Sequence, residues 1–262
     1  MLCKSAKILS GVGITVSLVT NGSLLTKEKA ERLVENGVTR PQVSLDGARE
    51  ETHERLRQYK GAFKLAISAI SYFAQTKGYE EIMVAFTPTG FNYTELEDTF
   101  YLTRDLGVEQ FRVQPLMILG STQLHLKELL PNPLQYRHIV RTIIKLQDKF
   151  GPNTIEWGDP VDHLIRFRTR IQHCINNVNI QANGDIVPSP YLPISVGNIR
   201  RHSFKKYWDA GLVKIWELPV IQRMAERICS VPDFGRKEEG IPTVWFEKNI
   251  EIDIIDNKEV FW

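Results

Sequence analysis

The sequence predicts an α/β protein, a run of parallel β/α units followed by a smaller α+β domain, and three observations carry that reading. Val16 to Gly22 and Val43 to Gly47 are short β-branched or aliphatic runs ending in small polar groups and a glycine, with a helix-period segment between them. That is the pattern of a parallel β/α unit whose functional groups sit at strand C-termini. Strand and helix segments then alternate through Gln114, which demands crossover connections and a mostly parallel sheet. After Gly151 the pattern changes to breakers and a short hairpin.

The elements follow in order. Met1 to Ser10 reads as the end of a helix and Gly11-Val12-Gly13 as the turn into the first strand, in which Ile14, Val16 and Leu18 point one way. Thr26 can cap a helix through about Glu35, with Ala30, Leu33 and Val34 toward the sheet, and Asn36-Gly37 ends it. The second unit is a strand from Gln42 to Leu45, a long loop containing His53 and Arg57, and a helix from Ala62 to Thr76 with a stripe of Phe63, Ile67, Ile70 and Ala74. Ile82 to Phe86 opens the third unit, whose helix begins with the capping box Thr94-Glu95-Leu96-Glu97. Gln110 to Gln114 opens a fourth. Asn132-Pro133 starts a helix to Phe150 that buries Ile139, Ile143, Leu146 and Phe150, and a short strand, Thr154 to Trp157, lies among breakers. Beyond it, Asn183-Gly184 between Val178–Gln181 and Ile186–Pro188 signals a hairpin, Ser203 caps an amphipathic helix through Trp208, and Ile250 to Ile255 alternates as a strand.

At 262 residues and 42% hydrophobic, the chain can bury a substantial core in one large or two modest domains. A net charge of +2 gives no argument for nucleic acid or an anionic membrane as partner. No apolar run reaches the roughly 18 residues of a spanning helix and no signal-peptide h-region follows Met1, so a cytoplasmic location is the default. Three scattered cysteines, Cys3, Cys174 and Cys229, exclude a disulfide framework and cannot supply a four-thiolate cluster; buried free thiols are the plain alternative. The six histidines show no HxxxH pairing.

The run Thr20-Asn21-Gly22, Ser44-Leu45-Asp46-Gly47, His53, Arg57 and Gly61 to Phe63 resembles the middle of the radical S-adenosylmethionine core, in its peptide-modifying branch with a C-terminal SPASM or twitch domain. The resemblance spans about Ile14 to Leu116. It implies a partial (β/α) TIM-like barrel missing its first two units, since four units stand where the family has six. The CxxxCxxC loop for the catalytic 4Fe-4S cluster and the Gly-Gly-Glu strand, which the family places in those units, do not occur in this sequence. It further implies that S-adenosylmethionine and a 4Fe-4S cluster are the cofactors. Ser44 would hydrogen-bond the former, Arg57 would pair with its carboxylate, and Thr20, Asn21 and Asp46 would line the same mouth, with Leu116 near the adenine. Asn21 and Asp46 equally suit plain turn-making, and Arg57 a solvated charge.

The second domain is similar to the SPASM/twitch pattern. Cys174 and Gly184 stand at the first two positions, Ser189 where a second cysteine belongs, and Cys229 at the first of a later pair whose other member is Pro232. Cys174 and Cys229 are thereby the remnant auxiliary-cluster positions, with structural remnants as the alternative. The boundaries are a partial barrel over 1–150, a linker over 151–172, the SPASM/twitch-like domain over 173–235 and a tail over 236–262. Two functions follow from the resemblance. One is a truncated or degenerate form of an iron-sulfur enzyme acting on a ribosomally made precursor peptide or protein, begun at an internal methionine or following a lesion and inactive alone. The other is a non-catalytic peptide- or partner-binding module derived from that fold. An edge at Ile14 to Val19 would remain open for a second chain to cover. A decaying gene product without a stable fold is opposed by the agreement of caps, turns and stripes.

Overall fold

The computed structural model describes residues 2–117, 129–169, 178–230, 233 and 250–257. The chain divides into two compact units: Met1–Leu116 with Lys127–Gly158, and Met117–Leu126 with Asp159–Trp262.

In the first unit, helix α1 (Leu2–Ser10) precedes five parallel strands, β1 (Val16–Thr20), β2 (Val38–Ser44), β3 (Met83–Phe86), β4 (Gln110–Val113) and β5 (Ile155–Trp157). The strands lie in chain order, β1-β2-β3-β4-β5, and each adjacent pair is parallel. The crossings carry α2 (Lys27–Glu35), α3 (Glu50–Arg57), α4 (Ala62–Gln75), α5 (Leu96–Asp105) and α6 (Pro133–Phe150). This parallel sheet with its helical crossings is the partial (β/α) barrel that the sequence predicts. β5, expected as a short strand among breakers outside the four units, joins the sheet as its fifth strand.

Alternation gives the sheet two unlike faces. Val43, Val84, Phe86, Phe111, Val113 and Ile155 point into the core, against Ala66, Ile70, Phe73, Phe100 and Leu146 of the helices. On the opposite face, Ser44, Ala85, Arg112 and Glu156 stand in one lateral row, each the register partner of the next. This second face is the polar one.

Several elements differ from the sequence reading, each for an identifiable reason. β2 begins four residues earlier than predicted and runs through Pro41. Leu45 N–H donates to Ala85 O, so by alternation Pro41 turns its missing N–H toward β3, whose pairing starts only opposite Gln42. The predicted loop around His53 and Arg57 is the helix α3. The buried stripe of α4 is Ala62, Ala66, Ala69, Ile70 and Phe73; Ile70 lies on it as predicted, whereas Phe63 and Ile67 pack at its margin, partly buried. Small alanines let that helix approach the sheet closely. No capping box forms at Thr94: a 3-10 turn, Tyr93–Glu95, leads into α5, and the Glu97 carboxylate accepts from Lys145 instead. The predicted helix start at Asn132 does form, and Gln135 makes it a capping box.

In the second unit, α7 (Pro160–Arg168) is followed by a three-stranded antiparallel sheet in the order β6-β7-β9, from β6 (Asn179–Ile180), β7 (Asp185–Val187) and β9 (Gly197–Asn198). Gly184, at φ +96°, makes the hairpin turn. β8 (Ile194–Ser195) pairs in parallel with β10 (Ile250–Glu251). The predicted strand from Ile250 to Ile255 is therefore only two residues long, because Asp253 draws the following N–H groups of Ile255 and Asp256 onto its own carboxylate. Helices α8 (Phe204–Asp209), capped by Ser203, and α9 (Pro219–Glu226) complete it. No helix among the described residues is long and apolar enough to cross a membrane.

Candidate functional site

The C-terminal ends of β1 and β2 carry most of the residues singled out from the sequence. After β1, Thr20 Oγ1 accepts from Gly22 N–H at 3.1 Å and Asn21 Oδ1 from Ser23 N–H at 3.0 Å. Both side-chain oxygens shape the turn. Gly22 sits at φ +80°, and a Cβ there would meet Ala69 Cβ at 2.8 Å, so the turn lies hard against α4.

After β2, Asp46 is fully buried and is the centre of a polar network. Arg57 donates to Asp46 Oδ2 from Nε at 2.7 Å and from Nη2 at 2.6 Å. Thr87 N–H donates to Oδ1 at 2.9 Å. His53 Nδ1 accepts from the Asp46 backbone N–H at 3.0 Å. Asn92 Nδ2 donates to Asp46 O at 2.9 Å and to Thr87 O at 3.0 Å. His53 and Arg57 are four residues apart on α3, hence on one face of it, and both face Asp46. Long-range polar contacts therefore hold this helix in place of an apolar stripe.

The electrostatics follow from burial. Burial pushes the Asp46 carboxyl up from its ordinary value, against the Arg57 charge and the Thr87 hydrogen bond. Burial first, then the Arg57 charge, lowers His53 to about 4, so at neutral pH the ring is neutral with its proton on Nε2. A second network braces the next loop: Glu95, 3% exposed, accepts from Arg49 Nε at 3.0 Å, Thr52 Oγ1 at 2.6 Å and Ala48 N–H at 3.0 Å. Burial pushes the Glu95 carboxyl up, but hydrogen bonds from Arg49 and Thr52, the Arg49 charge and the Ala48 N–H outweigh it and hold the carboxyl below its usual range.

The arrangement brings Thr20, Asn21, Ser44, Asp46 and Arg57 to the strand ends, with Leu116 buried beyond β4. Of these, Ser44 Oγ makes no hydrogen bond among the described residues. Sequence reasoning missed Asn92, Thr87 and Glu95. Their polar side chains or N–H groups satisfy backbone and carboxylate partners more than forty positions away, a relationship that local pattern does not encode. It also missed His202, Asp253 and Asp256, whose ligand atoms lie within 4.8 Å of one another in the second unit. There Asp253 Oδ2 accepts from Tyr207 Oη at 2.8 Å and Oδ1 from two N–H groups, so the cluster ties down the chain after β10.

The cysteines do not fit an iron-sulfur cluster on this chain. Cys3 lies on α1, partly buried against the core of the first unit, and Cys229 is exposed with its Sγ against Glu226 O at 3.4 Å. Neither is the buried thiol that composition suggested. Cys174 lies outside the described residues. With three cysteines in the whole sequence, none within fifty positions of another, the donor set lacks the clustered thiolates that such a cluster requires.

Comparison with known proteins agrees with the architecture. The Radical SAM superfamily profile matches residues 1–102. The chain is 27% identical over 226 residues to an AdoMet-dependent heme synthase of Methanosarcina barkeri, covering 78% of this chain and 63% of that protein. It is 21% identical over 250 residues to a PqqA peptide cyclase of Rhizobium meliloti, covering 89% and 64%. It thus spans less than two thirds of the length of these relatives. Among solved structures, Streptococcus suis SuiB superposes with a TM-score of 0.58 at 14% identity, over 79% of this chain and 51% of that one. Native anSMEcpe with bound AdoMet and a peptide gives 0.57 at 14% identity, over 94% and 72%. The parallel order of β1 to β5, the run from Thr20 to Phe63 and the profile match over residues 1–102 agree: the first unit is similar to the radical SAM superfamily.

Proposed function

We propose that this chain binds S-adenosylmethionine at the C-terminal ends of β1 and β2 and takes part in the modification of a peptide, with the cluster thiolates supplied from outside the residues present here. The observation that carries the reading is Ser44. Its hydroxyl ends β2 on the polar face, without a hydrogen-bond partner among the described residues, beside the braced Asp46–Arg57 pair. SuiB has been seen with S-adenosylmethionine and with its precursor peptide, which supports the cofactor and the peptide.

S-adenosylmethionine supplies an activated sulfonium. The chain's own residues bind and orient it. Ser44 donates to or accepts from the amino-acid end, the free amide of Asn21 lies at the same mouth, and Arg57, two of whose nitrogens hold Asp46, turns its remaining Nη1 toward a carboxylate. Leu116 offers apolar surface to the adenine. Asp46 acts through Arg57, as the group that fixes the guanidinium.

Isothermal titration of the purified chain with S-adenosylmethionine tests the reading. The expected result is one site per chain, weakened about tenfold by Ser44→Ala, the loss of one hydrogen bond to a charged group. A well-folded chain that takes up no S-adenosylmethionine at millimolar concentration would remove the proposal.

A specific observation favours a partner as well. β1 forms one edge of the sheet. Around it Leu2, Ile8, Val12, Ile14, Val19 and Leu24 are between 49% and 78% exposed. An unpaired parallel edge flanked by apolar side chains is the surface onto which a further β/α segment, from this polypeptide or another, would pack. The same surface serves the second reading, a non-catalytic partner-binding module, which the absent thiolates favour.

A further inference from the structure

The polar face of the sheet holds one charged group that the cofactor reading does not use. Arg112 lies on β4, where Phe111 and Val113 enter the core and Gln110 and Arg112 face the other way. Its Nε is buried and has no hydrogen-bond partner among the described residues. Leaving a buried guanidinium donor unmet costs more than an ordinary lost hydrogen bond, because the group is charged. Nor does Arg112 pair with Glu156, its register neighbour on β5, which is exposed.

The room around this guanidinium is built into the backbone. Gly158 follows β5, and a Cβ there would meet Arg112 Nε at 2.7 Å and Nη2 at 3.1 Å. The glycine lets the planar group lie against the chain. Toward the other side the row continues through Ala85, the smallest side chain that still fills a strand position, to Ser44. Ser44 and Arg112 are two strands apart, about 10 Å at the usual strand spacing, with only a methyl group between them.

We infer that Arg112 is a binding residue for a carboxylate of the substrate, held on the polar face beside the position that Ser44 serves. This rests on the proposed cofactor site for its placement, but its chemistry stands alone. A carboxylate is the class indicated because guanidinium presents parallel N–H donors in a plane, matching two carboxylate oxygens. Arg57 has only Nη1 left for a carboxylate, since its Nε and Nη2 are committed to Asp46, so it cannot present the paired donors that Arg112 offers, and its Nε–H stays on Asp46.

The test uses the full chain with [15N]arginine and follows the Nε–H resonances during titration with sodium acetate, with sodium chloride at matched ionic strength as control. The Arg112 signal is identified by its disappearance in Arg112→Lys. The expected result is a saturable shift of that signal in millimolar acetate, absent in chloride, with the Arg57 signal stationary. In Gly158→Ala the acetate response is lost while the Arg57 signal keeps its position, which shows the fold intact. An equal response to chloride, no response to acetate, or an Arg112 Nε–H already protected from exchange before any carboxylate is added would overturn the inference. An acetate response in a chain that fails to bind S-adenosylmethionine would uphold it and remove only the cofactor reading.

Discussion

Arg57 places both its Nε and one Nη on a single oxygen of Asp46, 2.7 and 2.6 Å away, and leaves the other oxygen to the Thr87 N–H. The carboxylate is fully buried, whereas a third of the arginine side chain remains in water. Arg57→Ala strands a buried charge and is expected to destabilise the chain by about 2–4 kcal/mol, in the lower part of the range for broken buried pairs because the arginine is partly hydrated. Adding Asp46→Asn to that variant should recover part of the loss, as the neutral amide needs no counter-charge. Urea unfolding of the four members of this cycle checks it. Additive losses would mean that the two side chains are not energetically coupled.

His53 gives the same network a pH dependence. Its folded value is lowered to about 4 while an unfolded histidine titrates near 6.5, so the unfolded chain binds more protons between those limits. Its contribution is complete above pH 6.5 and is lost as pH falls toward 4, about 3 kcal/mol in all. Asp46, raised by burial, opposes this in the acid range because it takes up a proton more readily in the folded state. His53→Asn separates the two, since the asparagine oxygen can still accept from Asp46 N–H but cannot titrate. Unfolding free energies at pH 7 and 5 should differ less in the variant than in the parent chain. An unchanged difference would assign the dependence elsewhere.

How far the sequence discloses this site depends on the range over which each feature is determined. β1 and the end of β2 are legible because both are local: branched residues, then a small polar group and glycine, and the two lie side by side in parallel as that grammar requires. α3 is not legible, because Glu50 to Arg57 has no apolar stripe and is held by His53 and Arg57 reaching back to Asp46. The start of α5 misleads for the same reason. Glu97, three residues after Thr94, looks like the acid of a capping box, but its carboxylate meets Lys145 of α6 across the fold. Pro41 hides the first half of β2, although its ring costs nothing where the neighbouring strand has yet to begin.

In the second unit, Gly197 is fixed by an approach rather than by a turn. A Cβ there would meet the ring of Tyr207 at Cζ, 2.5 Å, and Cδ1, 2.8 Å. Tyr207 cannot retreat: it is fully buried, donates to Asp253 and accepts from the Asn198 N–H at 2.9 Å. Gly197→Ala is therefore expected to cost about 1–3 kcal/mol through overpacking, read as a lower unfolding midpoint by tryptophan fluorescence. Gly61→Ala, at φ +86° with nothing within 4 Å of where its Cβ would lie, would be strained by backbone conformation alone and serves as the comparison. Loss of the Tyr207–Asp253 hydrogen bond in the first variant and its retention in the second would show that contact is the cause.

The β1 edge predicts behaviour in solution. Val12, Val19 and Leu24 are 72%, 65% and 78% exposed, and among the described residues β1 pairs with β2 on one side only. Scattered exposed apolar residues carry little meaning, but here they flank unpaired backbone donors and acceptors, the combination that templates strand addition. The isolated chain should therefore self-associate with increasing concentration, visible as a rising weight-average mass in sedimentation equilibrium. Val19→Lys places a charge on the edge and should lower that mass toward the monomer while leaving the unfolding midpoint nearly unchanged, since the side chain packs against nothing in the core. Ile70→Lys, on the fully buried stripe of α4, is the contrasting case and should unfold the chain outright. A parent chain that stays monomeric at high concentration would show that the edge is already protected, and with that the packing role proposed for β1 and α1 would fall.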